Sequence, residues 1–516
     1  MVTVEPTTAA GLVLQTGAAI SLPSTNGDKK ESQPAEVVST TSQGGLVPGQ
    51  WEASLTLARL EMDEIARKII EKEIPPKKIV LVENGLTIIA DEIPDETFCN
   101  VRVYVKVGSA YEKRSNNGIA HFIEHYLFNG TNTPGRVTQE EILDQFEIIG
   151  SDENAETERE TTAYYSDVLS CFAPLTLDIL LDMVFNPSFN EQSMSKERGI
   201  VTEELKMYKD SPEYFTEDML YRYVWQNHFG RLIIGTKESI AGMTKESMIQ
   251  FTNDFYTPDN VIISIAGKFD LDKMIEIAKR HTAHITKKKK EIELPRSNYS
   301  SGIRIFKRRD IEQTQVLFAL QGISYTSKDW YVMRLLEQCL TDVRSSRLFQ
   351  GIREKNGLAY SVDSASEEYS SCGVFAVSAG IPGESLEFVV RLILDELKSI
   401  KDKGFTEKEI VRAKMQLKNK DIRSRRELED RASMNATDEI YFGRFRSLKE
   451  DIEKTEVITN EDVIKLARKL FKPEFFTLLL MAPADVDHDK QIPTKDKLEA
   501  IFKEYELNWS KPDQPN

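Results

Sequence analysis

The chain has 516 residues, 40% hydrophobic and 29% charged, with a formal charge of −16. This is an ordinary globular composition with room for two large domains or about three of ~150 residues. The acidic balance argues against nucleic acid as a partner, since phosphate binding wants clustered Lys and Arg, and suits a peptide or unfolded polypeptide with basic residues. No apolar run reaches the ~20 residues of a membrane span.

Cys99, Cys171, Cys339 and Cys372 are far apart and form no CxxC pair, as in a reducing compartment. The apolar stretch GLVLQTGAAISL is preceded by no Lys or Arg; the first of each are Lys29 and Arg59. Neither a signal peptide nor an Arg-rich transit peptide is visible, and a cytoplasmic location is expected.

Residues 1 to about 50 are rich in Thr, Ser, Ala, Gly and Pro and read as a disordered tail. Leu57, Leu60, Ile65 and Ile69 then fall at helical spacing within 51–73, and Pro75-Pro76 ends that helix, so tail and helix occupy 1–75. Two β-rich runs flank Asn84-Gly85, a hairpin signal. Val101, Val103, Val105 and Val107 alternate with Arg102, Tyr104 and Lys106, which predicts a half-buried strand. Further helices are predicted at roughly 138–149, 173–185 and 190–209, then a strand over 260–269 and a helix over 271–281.

The first domain is thus placed at 76–285, followed by a charged, Pro- and Ser-containing linker at 286–300. The basic run 287–290 is taken as solvated, with no binding role. The second domain, 301–508, repeats the order of elements: RIFKRR and QTQVLFALQGIS read as strands, and DWYVMRLLEQCL as a helix. The expected fold class is α+β, two similar domains, each a mixed, mostly antiparallel sheet packed against helices.

The stretch GIAHFIEHYLFNGT, 118–131, holds two of the six histidines. On a helix, His121, Glu124 and His125 share one face. Two imidazoles so spaced can reach one zinc ion, and the glutamate between them can act on a water at the metal. The alternative is a helix that carries two histidines incidentally. A hydrolytic zinc site needs a third protein ligand. In SMSKERGIVTEELKMYKDSP, Val201, Leu205 and Tyr208 make an apolar helix face, and Glu197 and Glu204 fall on it while Glu203 points away. Carboxylates on a buried face are costly without a partner. Glu204 is the expected ligand and Glu197 the residue that supports a histidine from behind.

NGIAHFIEHYLFNGT, NAETERETTAYYSDV (154–168), ERGIVTEEL (197–205) and SSRLFQGIREKNGLAYSV (345–362) together resemble the pitrilysin/insulinase-like zinc metallopeptidases. The resemblance is to the branch of mitochondrial processing peptidase and its bacterial homologues, and covers about 77–485. It implies one Zn²⁺ held by His121, His125 and Glu204, with Glu124 as base, Glu197 as supporting acid, and Asn154 and Glu160 near the site. The gap from His125 to Glu204 is a few residues longer than usual in the family, placing an insertion between the two helices. Arg353 and Tyr360 match a family pair that contacts substrate and steadies the oxyanion. The family further implies a zinc endopeptidase acting on extended peptides or presequences. It implies a homodimer or a heterodimer with a paralogue, in which Arg353 and Tyr360 of one chain serve the zinc of the other. The branch includes enzymes of the mitochondrial matrix, the alternative location. It also includes non-catalytic core or scaffold subunits, the alternative function.

Overall fold

The computed structural model describes residues 48–294, 297–341, 344–359, 362–472, 475–484 and 492–505. Most of the expected tail and Tyr360 lie outside them. Helix α1 (Pro48–Lys72) is a unit by itself, with Arg67 bridging Glu64 and Glu71 one turn to either side. The described chain from Ile74 onward is a second unit, built on two sheets.

The first sheet begins with β1 (Lys77–Val80) and β2 (Thr87–Glu92), an antiparallel hairpin that turns at Gly85 with φ of 86°. It continues with β3 (Phe98–Val105), β4 (Asp152–Thr157), β5 (Thr162–Leu169) and β6 (Val261–Gly267) in the spatial order β1-β2-β6-β3-β5-β4. Between these strands run α2 (Ile119–Tyr126), α3 (Gln139–Ile148), α4 (Ala173–Phe185), α5 (Glu191–Asp210), α6 (Pro212–Val224), α7 (Lys237–Ala241) and α8 (Lys245–Phe255). Helix α9 (Leu271–Thr282) follows β6.

The second sheet comprises β7 (Gly302–Arg308), β8 (Thr314–Gln321), β9 (Val362–Glu368), β10 (Gly373–Ile381) and β11 (Phe476–Pro483), ordered β7-β11-β8-β10-β9. Its helices include α10 (Trp330–Leu340), α11 (Arg347–Phe349), α12 (Leu386–Lys403), α13 (Glu407–Ser424) and α14 (Leu428–Phe442). Apart from β1, which has no counterpart among the described strands, the second sheet repeats the topology of the first. The parallel pair β2–β6 recurs as β7–β11, and the antiparallel run β6-β3-β5-β4 recurs as β11-β8-β10-β9.

Each half also covers the other. Helix α6 packs on β8 and β11, and α14 packs on β2, β3 and β6. Strand β3 is therefore not half-buried: Arg102 and Tyr104, on the face expected in water, are 2% and 5% exposed. Arg102 reaches Glu429 at 2.5 Å, Tyr104 donates to Ser433, and the Ser264 hydroxyl donates to the Ala432 carbonyl. Asp91 accepts two bonds from Arg431, at 2.7 and 2.9 Å, and one from Asn435. The basic run at the linker is likewise tied down. Lys288 donates to the Asn84 carbonyl, and the backbone N–H groups of Lys289 and Lys290 donate to Asp259 and the Asp254 carbonyl.

Candidate metal centre and active site

Helix α2 starts where it does because Gly118 turns the chain into the left-handed region (φ 90°), pressed so close to Ile234 that a Cβ would lie 2.5 Å from its carbonyl oxygen. The buried Glu112 carboxylate caps the helix. It accepts from Gly118 N (2.7 Å), Ala120 N (2.9 Å) and the Asn117 amide (2.8 Å), placing its oxygens at the positive end of the helix dipole. Ile119, Phe122, Ile123 and Tyr126 anchor the helix in the core. Helix α5, capped by Asn190, is held through Met194, Val201 and Leu205. His125 faces Glu197 and His121 faces Glu204, so the two helices run in opposite directions.

One side-chain atom from each of His121, His125 and Glu204 lies within 4.8 Å of the others. His121 Nε2 is 3.6 Å from Glu204 Oε1, and His125 Nε2 is 3.4 Å from Glu204 Oε2. Both Glu204 oxygens and His125 Nε2 are buried with no hydrogen-bond donor or acceptor. Buried polar atoms are almost always paired, and an unpaired carboxylate is the most costly kind. A tetrahedral zinc with bonds of about 2.1 Å sets its ligand atoms about 3.4 Å apart, so the donor set and the two histidine-to-Glu204 spacings fit such an ion.

The surroundings orient these groups. His125 Nδ1 is 3.1 Å from Glu197 Oε1, and the Asn129 amide donates to Glu197 Oε2 at 2.9 Å. With Nδ1–H donating to Glu197, a neutral His125 ring would present its Nε2 lone pair to a bound metal. Burial opposes ionisation of Glu197 and Glu204, yet His125 on the first and His121 with His125 on the second hold both carboxyls below the usual range. Burial likewise disfavours the His125 imidazolium, but Glu197, Glu204 and Glu124 outweigh it and raise its pKa to about 10. Glu124 is 3% exposed, and its Oε2 accepts from the Thr157 hydroxyl at 2.6 Å. Glu203 is exposed and pairs with Lys206.

The other expected site residues are placed differently. Asn154 is exposed on β4, with its side-chain oxygen accepting from Ala155 N. Glu160 is buried, but its contacts join the two halves rather than serve the histidine cluster: it accepts from the backbone and hydroxyl of Ser370 and from Tyr441. Arg353 lies on a π-helical turn, 4.0 Å from Glu354 and over the Phe349 ring. Glu112, Asn129 and Thr157 had no signal in sequence periodicity. Asn129 alone left a hint, one turn beyond His125.

A cavity of about 220 Å³ lies between the halves, lined by Glu156, Glu158, Glu367 and Glu368 together with Tyr369 and Tyr441. Burial raises the carboxyls of Glu156 and Glu368, and burial with Glu156 and Glu367 nearby pushes Glu158 up to about 8. Beside it the buried Arg159 guanidinium sits 3.6 Å above the Tyr221 ring and donates to Phe229 O and Tyr369 Oη.

The inverted motif His121-x-x-Glu124-His125, with Glu204 brought beside its histidines, is the pattern of the inverted-motif metallopeptidases. Two family models match: Insulinase (Peptidase family M16) over residues 87–237 and the Peptidase M16 inactive domain over 242–417. The chain is 33% identical to YmxG, an uncharacterized zinc protease of Bacillus subtilis, over 78% of this chain and 97% of that one. It is 31% identical to an uncharacterized zinc protease of Rickettsia felis, again over 78% and 97%. The chain belongs to the insulinase, or M16, peptidase family. Its fold is shared with a protease from Helicobacter pylori (TM-score 0.72, 22% identity, 79% of this chain and 100% of that one). It is shared too with a peptidase M16 inactive domain from Pseudomonas fluorescens (TM-score 0.73, 19% identity, 80% and 99%). No described helix is long and apolar enough to cross a membrane.

Proposed function

We propose that the protein is a zinc endopeptidase with its metal held by His121, His125 and Glu204. The observation that carries this reading is the set of buried, unpartnered atoms on His125 and Glu204 at the spacing a tetrahedral ion requires. Bound zinc supplies Lewis acidity, activating a water and polarising the scissile carbonyl. Glu124 takes the proton of the attacking water on Oε1, the oxygen Thr157 leaves unclaimed, and passes it to the leaving amine. Glu197 fixes the His125 ring from behind. The products are a carboxylate and an amine.

Strand β4 ends the first sheet, and its outer edge is the natural seat for an extended substrate by strand addition. The four glutamates of the adjoining cavity support a substrate with basic residues, whose charge would relieve their crowding. Arg353 and Tyr360 are assigned to the oxyanion of a neighbouring chain's site, in a homodimer or a pair with a paralogue. Mixing Glu124→Gln and Arg353→Ala chains then restores activity; confirmed subunit exchange without recovery removes that part of the reading.

The central test is a peptide-library digest by wild type and Glu124→Gln with zinc measured on both. Near-stoichiometric zinc in both, with cleavage in the wild type alone, is the expected result. A wild type with no zinc and no cleavage points instead to a non-catalytic scaffold subunit.

A further inference from the structure

Thr157 is the last residue of β4 and is 2% exposed. Side chains alternate along this edge strand. Ala155 belongs to the core on the helix side, Glu156 lines the cavity between the halves, and Thr157 turns back to the helix side. There its hydroxyl meets Glu124 Oε2 at 2.6 Å. The backbone around it is pinned: Thr157 pairs with Thr162, Glu158 N donates to Thr161 O, and Ser109 N and Ala110 N donate to the carbonyls of Glu158 and Arg159. That same 109–110 turn leads directly to Glu112, the cap of the helix bearing Glu124.

A glutamate head has three torsions, and this one sits one residue from His125, beside a cluster that attracts cations. Swung onto a bound metal, the carboxylate would be a ligand and not a base. We propose that Thr157 is the positioning residue for Glu124. It holds one carboxylate oxygen so that the other stays turned toward the attacking water, and it keeps the group out of the metal's open position. Because Thr157 closes the edge strand, the strand that seats the substrate also sets the base. The catalytic part of this inference rests on the peptidase reading above; the effect on the carboxylate does not.

Thr157→Val keeps the shape and removes the hydroxyl, while Thr157→Ser keeps the hydroxyl and removes the methyl. Thr157→Ala replaces the valine variant if that one does not fold. On the zinc-loaded proteins, Thr157→Val lowers kcat about 10–100-fold with KM unchanged, and Thr157→Ser stays within about threefold of wild type. Zinc content is the same in all. With cobalt in place of zinc, the visible absorption bands shift in Thr157→Val, as Glu124 joins the metal, and not in Thr157→Ser. A valine variant with wild-type kcat and wild-type cobalt bands overturns the proposal, and so does a serine variant as impaired as the valine one. If the zinc-loaded wild type cleaves no peptide, the peptidase reading falls and the cobalt spectra alone decide the role of Thr157.

Discussion

Removing Glu197 tests whether the helix α5 carboxylate governs metal affinity without touching the metal. It is 4% exposed, and each oxygen has one partner, His125 Nδ1 at 3.1 Å and the Asn129 amide at 2.9 Å. In Glu197→Gln the oxygen can still accept from His125, and Asn129 can turn its own oxygen to the new amide. What is lost is the charge on the acceptor. Hydrogen bonds to charged groups are worth about 1 kcal/mol more than neutral ones, so zinc Kd should rise about fivefold. Glu197→Ala removes the acceptor, frees the ring and leaves Asn129 facing a void; losing the group that orients a ligating histidine should weaken zinc binding by about 100-fold, about 2.8 kcal/mol. The assay is competition with a chelator of known affinity, with circular dichroism confirming an unchanged fold. An alanine variant that binds zinc as tightly as wild type would refute the role assigned to Glu197.

Glu124→Gln should retain zinc while losing at least about 10²-fold in kcat, measured on any cleaved peptide; equal loss of zinc and activity would make Glu124 a ligand instead. In the metal-free protein His125 has its pKa raised to about 10, so it is protonated at pH 7, whereas a metal ligand must be neutral. Zinc binding at pH 7 should then release about one proton per ion, and affinity should rise with pH. Calorimetry in buffers of different ionisation enthalpy reads this, and a buffer-independent heat contradicts it. Asp91→Ala strands the Arg431 guanidinium against the first sheet and should cost about 3 kcal/mol, read as a lower denaturant midpoint for the whole unit. A shift confined to one half would show that the halves unfold separately.

Helix α2 was legible because its information is local: three residues on one face within five positions. Glu204 was legible because an acidic pair interrupted an apolar face. Hairpin β1–β2, strand β3 and helices α3, α4 and α5 announced themselves by periodicity or a turn dipeptide. Strand β4, which flanks the site, did not. DENAET is polar at nearly every position, as an edge strand facing an acidic cavity can be. The second buried face of β3 was hidden for another reason. Its cover, α14, lies more than 300 residues away, so Arg102 and Tyr104 read as solvent-facing until Glu429 and Ser433 are placed beside them. Glu160 was expected near the histidines from its position in a motif; its hydrogen bonds to Ser370 and Tyr441, more than 200 residues away in sequence, had no local signal.

The mutual covering of the two sheets also has a meaning in time. The strands of the first sheet are all made once Gly267 is, yet the helix that shields Ile89, Tyr104, Ala163 and Ile262 ends at Phe442. At ribosomal rates of about 5–20 residues per second, those roughly 175 residues take on the order of 9–35 s. During that interval the nascent first half has one face of its sheet, the one carrying Ile89, Tyr104, Ala163 and Ile262, without its cover. The newborn chain is thus a candidate client for chaperones, and translation speed through the second half becomes a determinant of yield.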